Sequence, residues 1–117
     1  MLKNTALNKL NSIISFDCVS KTYDGKDVAL TGASFAVPHG AFMCVIGPSG
    51  GGKSTVLKII AGITDPTAGA VVKPKNVSMV FQAGALMPWL SALENVAFGL
   101  HGKGLSMARI RSIAQKY

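Results

Sequence analysis

The chain has 117 residues, of which 49% are hydrophobic and 15% charged, with a formal net charge of +7. A sequence this apolar buries a core, which excludes a disordered chain, and its length leaves room for one small domain or a piece of a larger one. No apolar run reaches the ~18–20 residues that a membrane-spanning helix needs, because Lys58 breaks 56–63 and the run 41–47 is short.

Residues 1–12 are polar, with Asn4, Asn8 and Asn11, and predict a loose arm. Lys3 and Lys9 have no apolar block behind them, since Asp17 interrupts 13–19. A secretory signal is therefore not expected, and the chain is expected to stay in the cytosol. Residues 13–23 alternate in part and are rich in β-branched side chains, which predicts a strand. Asp24-Gly25 predicts a turn, and a second strand is expected over 28–37 with an irregularity at Thr31-Gly32. The two predict an antiparallel hairpin, followed by another turn at Pro38-His39-Gly40. The continuous apolar run 41–46 (AFMCVI) predicts a strand buried on both faces.

A glycine-rich loop occupies 47–52, and 53–61 then runs without a breaker, with apolar residues at 56, 57, 59 and 60. That stretch predicts a helix, and Gly62 suits its end. Turn chemistry at Asp65-Pro66-Thr67 and Gly69 precedes two short expected strands, 70–72 and 77–81, around the basic turn Lys73-Pro74-Lys75-Asn76. After Gln82 the chain loosens through Ala83-Gly84 to Pro88-Trp89. Ser91 followed by Glu94 is a capping-box pattern, which predicts a helix to about residue 98. Gly99, Gly102 and Gly104 predict a flexible connection. A last helix is expected over 106–117, with Ile110, Ile113 and Ala114 on one face and no stop signal before the chain ends.

Cys18 and Cys44 form no CxxC pair and have no histidine at metal-ligand spacing, so they predict two reduced, buried thiols and exclude a zinc site. His39 and His101 stand alone and predict solvated turn residues. The basic balance is compatible with a nucleotide, nucleic acid or anionic lipid, yet the cations are scattered, and no nucleic-acid partner is expected.

The strongest motif is GPSGGGKST at 47–55, which fits G-x-x-x-x-G-K-[ST] with Gly47, Gly52, Lys53 and Ser54. Around Pro48 and Ser49, the glycines Gly47, Gly50, Gly51 and Gly52 let backbone N–H groups turn inward to cradle phosphate oxygens. The start of the following helix adds partial positive charge at the same point. Lys53 supplies a full charge to the outer phosphates, the Ser54 hydroxyl suits a Mg²⁺ ion that shares them, and Thr55 is placed to bond the α-phosphate. The motif also has its expected context, an apolar strand before it and an unbroken helix after.

This strand, loop and helix resemble the nucleotide-binding site of the ABC transporter ATP-binding family. Three further stretches carry the resemblance: FDCVSKTYDG at 16–25, LKIIAGITDPTAGAV at 57–71 and VFQAGALMPWLSALENVAFGL at 80–100. Together they cover about residues 14–104. The resemblance implies an α/β fold, a partial P-loop NTPase of ABC type, with an antiparallel β portion at the N-terminus and the start of a helical subdomain. It divides the chain into an arm at 1–12, a partial nucleotide-binding domain at 13–104 and the beginning of a helical subdomain at 105–117. ATP and Mg²⁺ are the implied cofactors.

By the same resemblance Tyr23 stacks on the adenine, a contact worth ~1–3 kcal/mol without base-specific hydrogen bonds. Gln82 becomes the Q-loop glutamine, whose neutral amide completes a Mg²⁺ shell or holds a water, so Ser54 and Gln82 are the implied metal-side residues. Ala83 stands where the family often has an acidic residue. The loop that follows is implied to contact a membrane subunit, and Pro88-Trp89-Leu90 reads either as a partner-facing patch or as packing within its own domain. The run LMPWLSALENVAFGL resembles the subgroup serving nitrate, sulfonate and taurine importers.

Hydrolysis in this family needs an aspartate and a glutamate after an apolar strand. None of Asp17, Asp24, Asp27, Asp65 and Glu94 forms such a pair. The LSGGQ-type signature and the switch histidine are absent too. The chain therefore reads as the N-terminal half of a cassette that binds ATP without turning it over alone. The whole protein is implied to be a homodimeric ATPase docked on permease subunits at the inner face of the membrane. The alternatives are an ABC-type protein outside transport, another P-loop nucleotide-binding protein such as a small-molecule kinase, and a non-catalytic nucleotide-binding fragment.

Overall fold

A computed structural model describes residues 12–117. The expected arm at 1–12 falls almost wholly outside the described residues. The chain forms two compact units, divided between Met79 and Val80.

In the first unit, β1 (Ser12–Tyr23) and β2 (Asp27–Pro38) form the expected antiparallel hairpin, and β3 (Ala68–Val72) pairs antiparallel with the other edge of β1. The sheet order is thus β2-β1-β3. Phe16 lies opposite Phe35 on one side and Val71 on the other. The two phenylalanine rings stack with centroids 4.5 Å apart. The register shifts between Phe16 and Val19, where Cys18 takes a positive φ of 49° and its N–H donates to Ser34 Oγ at 2.8 Å. Beside this bulge, Gly69 of β3 comes so close that a Cβ there would run into the carbonyl oxygens of Asp17 and Cys18. At φ +87° the position is reserved for glycine twice over.

Helix α1 (Lys53–Ile60) lies within the expected 53–61. Val56 and Ile59, three apart and so on one face, are buried with Phe16 and Val19 as the core, and Ile14, Leu30, Phe35, Ile60 and Val71 pack around it. The C-terminus closes as expected at Gly62. Its N–H bonds the Ile59 carbonyl at 3.1 Å and the Ile63 N–H bonds the Lys58 carbonyl at 2.9 Å, the paired pattern of a Schellman end. Lys73 also donates to the Ile59 carbonyl, at 2.6 Å.

Two expected strands are not formed. The runs 41–46 and 77–81 make no ladder. A strand exists only through hydrogen bonds to a neighbour, and among the described residues neither run has one. The burial expected for 41–46 is likewise corrected: Phe42 is 97% and Ile46 87% exposed. The two cysteines are free but exposed, not buried. Cys18 sits on the bulge, and Cys44 shares the uncovered run.

In the second unit, α2 (Ala92–Phe98) starts at the predicted capping box. Ser91 Oγ accepts from Glu94 N–H, and the Glu94 carboxylate accepts from Ser91 N–H at 2.7 Å and from its hydroxyl at 2.6 Å. These bonds, the side-chain one foremost, lower the Glu94 pKa from its ordinary value. Helix α3 (Met107–Ala114) begins at Ser106, and Ile110 and Ala114 bury against Ala97, with Leu93 and Leu100 beside them. It stops at Ala114 instead of running to 117, because the last residues tighten to a turn in which Lys116 N–H bonds the Ile113 carbonyl at 3.1 Å and Tyr117 N–H that of Ala114 at 3.4 Å.

Candidate functional site

The loop 47–52 leads into α1 through Gly52, the N-cap residue, at φ +76°. A Cβ at Gly52 would meet the Ala29 carbonyl oxygen and lie 2.7 Å from Leu30 Cδ2. Backbone against backbone, the end of the loop is seated on β2. Within the loop, the Pro48 carbonyl accepts from Gly51 N–H at 3.2 Å and from Lys53 Nζ at 2.5 Å. The ammonium is thereby folded back over the loop that precedes it. Gly47 and Gly50 face open space, with nothing near where a Cβ would stand.

Helix α1 presents its positive end here without compensation. No side chain caps it and no acidic residue lies in its first turn. At the other end, Lys58 in the last turn and Lys73 on the Ile59 carbonyl complement the negative pole. Ser54 is exposed, Thr55 is buried and Lys53 is half-buried. The arrangement suits a polyphosphate: free N–H groups at a helix start, an adjacent lysine, an outward hydroxyl and loop glycines beside open space. Among the described residues no group of three His, Cys, Asp or Glu side chains is placed to hold a metal. A Mg²⁺ ion here would depend on hydroxyl and phosphate oxygens, for which the Ser54 hydroxyl is suited.

Tyr23 ends β1 opposite Asp27 and is half-buried. It lies two residues beyond Lys21, which pairs with Leu30, the residue under Gly52. That spacing is about 7 Å along a strand, so the sheet brings the Tyr23 end of the hairpin to the end of the loop. Sequence reasoning missed Lys21, whose ammonium sits 5.1 Å from the Tyr23 ring centre. Its one available signal was the i, i+2 spacing that puts both side chains on one strand face.

Gln82 belongs to the second unit and stands exposed in an irregular segment, not at the end of a strand. Trp89 is 77% exposed among the described residues. His39 and His101 are exposed turn residues, as expected. Sequence reasoning also missed Asn95, whose carboxamide bonds to residues 87–91. An asparagine inside a short helix, where it is a poor helix former, was the signal. Among the described residues no helix is long and apolar enough to cross a membrane.

A glycine-rich loop seated on a sheet and opening into a helix defines a phosphate-loop NTPase fold. The ABC transporter family profile matches residues 30–117. The chain belongs to this family. It is 39% identical over 109 residues to the sn-glycerol-3-phosphate import ATP-binding protein of Rhodopseudomonas palustris, covering 84% of this chain and 30% of that protein. It is 37% identical over 114 residues to the aliphatic sulfonates import ATP-binding protein of Escherichia coli, covering 91% and 44%. With the spermidine/putrescine import ATP-binding protein of Thermobifida fusca it shares 39% identity over 122 residues, covering 92% and 32%. The chain thus spans less than half the length of these curated relatives. Among solved structures, a dimeric ATP-binding cassette in a post-hydrolysis state, bound to ADP and Pi, superposes with a TM-score of 0.72 at 31% identity, covering 88% of this chain and 54% of that one. A second dimeric structure, of a bacterial ABC transporter cassette, gives 0.72 at 34% identity, covering 85% and 53%.

Proposed function

We propose that this chain is the ATP-binding part of an importer of the ABC class, and that residues 47–55 hold the phosphates. The observation that carries this is the seating of Gly52 on β2, which fixes the uncapped start of α1, Lys53 and Ser54 around one loop. Gly47, Ser49, Gly50 and Gly52 line the phosphates mainly through backbone N–H groups, while Pro48, which has no N–H, and Gly51, whose N–H bonds the Pro48 carbonyl, shape the loop around them. Lys53 leaves the Pro48 carbonyl for the outer phosphates, and Thr55 takes the α-phosphate. Ser54 and Gln82 serve the Mg²⁺ side, Gln82 on the strength of its Q-loop resemblance, and Tyr23 stacks on the base. Bound Mg²⁺ neutralises charge on the phosphates.

The assignment of 13–104 to a nucleotide-binding domain and 105–117 to the start of a helical subdomain rests on the resemblance. In the transporter, ATP binding and hydrolysis drive solute uptake, with a second ATP-binding subunit and membrane-embedded permease subunits as partners, at the cytoplasmic face of the membrane. These 117 residues contain no adjacent pair of acids, so the proposal gives them binding and not turnover. The resemblance of 86–100 to the nitrate, sulfonate and taurine subgroup makes nitrate, a sulfonate or taurine the proposed solute, and it rests on that stretch alone, since the relatives of similar identity serve different solutes.

The test is titration with ATP and Mg²⁺ by calorimetry. Lys53→Ala should weaken binding at least about tenfold, the loss of one charge-assisted contact of about 1.5–3 kcal/mol. An unchanged affinity would overturn the assignment.

A further inference from the structure

The end of β1 sets two side chains of one strand face against each other. Lys21 Nζ stands over the Tyr23 ring, 5.1 Å from its centre. Two residues before Lys21, Val19 is buried in the core with Val56 and Ile59 of α1. The lysine stem therefore rises from the edge of that core, and both Lys21 and Tyr23 are half-buried. The backbone that carries them is held from the edge where β3 pairs. Thr67 N–H donates to the Ser20 carbonyl at 2.8 Å, Thr22 N–H donates to Thr67 Oγ1 at 3.1 Å, and the Thr67 hydroxyl donates to the Thr22 carbonyl at 3.4 Å. Lys26 N–H closes the following turn on the Tyr23 carbonyl at 3.1 Å. The ammonium and the ring thus start from fixed backbone positions. The faces of an aromatic ring are negative, so the ammonium is attracted to the face that it covers. Among the described residues no aromatic ring lies on Tyr23.

We propose that Lys21 is a positioning residue for the nucleotide base: its ammonium takes one face of the Tyr23 ring and holds the ring so that the opposite face receives the base. This deepens the reading above that Tyr23 stacks on the base, and rests on it. The lysine acts through the ring in two ways. It restricts the turning of the ring, so less freedom is lost when the base arrives. It also draws π-electron density toward itself, which lowers the repulsion between the ring and the π cloud of the base on the far face. Both effects need the base, and neither involves the phosphates. A cation–ring contact at a partly exposed site corresponds to about a two- to fivefold change in affinity.

Calorimetric titration with ATP and with tripolyphosphate, each with Mg²⁺, separates this role from a general electrostatic one, because tripolyphosphate has the phosphates and no base. Lys21→Met keeps the stem and removes the charge. It should weaken ATP binding about threefold and leave tripolyphosphate binding unchanged. Lys21→Arg keeps a cation for the ring and should bind ATP as the wild type does. In a Tyr23→Leu background, Lys21→Met should change nothing further. Equal losses for ATP and tripolyphosphate would mean that the lysine serves the phosphates directly, and would overturn the proposal. An unchanged ATP affinity in Lys21→Met would overturn it as well. Lys21→Gln decides in the same way if the methionine variant fails to fold. Tyr23→Leu by itself tests the underlying reading. If it weakens ATP binding while Lys21→Met does not, the base stacks on Tyr23 without help from Lys21, and only the positioning role falls. If Tyr23→Leu leaves ATP binding unchanged, the stacking itself falls.

Discussion

Replacing Gly52 by alanine tests whether the loop is seated on the sheet. Its φ of +76° costs an L-residue about 1–2 kcal/mol. The added Cβ would also meet the Ala29 carbonyl oxygen and stand 2.7 Å from Leu30 Cδ2. Leu30 can shift, but Ala29 O belongs to β2 and moves only if the strand does. Overpacking of this kind costs about 1–3 kcal/mol. The sum, about 2–5 kcal/mol, is a large part of the ~5–15 kcal/mol that stabilises a typical domain. Gly50 is the control. At φ +78° it faces open space, so Gly50→Ala carries only the conformational cost of about 1–2 kcal/mol. Urea unfolding followed by far-UV circular dichroism separates the two, whereas Trp89 fluorescence reports the other unit. Gly52→Ala should lower the stability by at least about 1 kcal/mol more than Gly50→Ala. Equal losses would mean that the loop does not rest on β2, and the argument for a pre-shaped phosphate cradle would fail with it.

The uncovered run 41–46 should make the chain self-associate, since Phe42 and Ile46 are almost fully exposed. Burying such a side chain is worth about 1.5–3 kcal/mol. The double variant Phe42→Ser, Ile46→Ser should therefore weaken association by at least about tenfold in sedimentation velocity, and an unchanged profile would refute the exposure argument. Ser91→Ala should destabilise α2 by about 1 kcal/mol through loss of the cap, read as lost helicity. The Glu94 pKa is lowered by its bonds to Ser91. Its contribution is therefore present above the unfolded pKa and is lost as pH falls through the lower folded value. An acid titration of helicity should show that loss in the wild type and a flatter curve in Ser91→Ala. Identical curves would remove the capping box from the account.

Several parts of this protein were legible in the chain because their causes are local. The hairpin of β1 and β2 follows from two β-rich runs around Asp24-Gly25. Helix α1 ends where Gly62 permits a left-handed residue, and α2 begins where Ser91 and Glu94 satisfy each other's backbone donors. The phosphate-loop motif, too, is contiguous, and with the neighbouring stretches it carries the resemblance to the family. The runs 41–46 and 77–81 failed for the opposite reason. Apolar composition states a demand for burial, but only a hydrogen-bonded neighbour makes a strand, and among the described residues none is there. Composition likewise misjudged Cys18 and Cys44, whose exposure depends on a bulge and on that same uncovered run.

The tertiary structure alone decided the pairing of β3 with β1, the need for glycine at Gly69 and the seating of Gly52 on Ala29 and Leu30. It also placed Lys21 over Tyr23 and tied Asn95 to the turn before its helix. Residue types and short spacings set turns, caps and helices, because those bonds close within a few residues. Which surfaces meet is settled between segments far apart in the chain, where backbone oxygens and side chains compete for the same space.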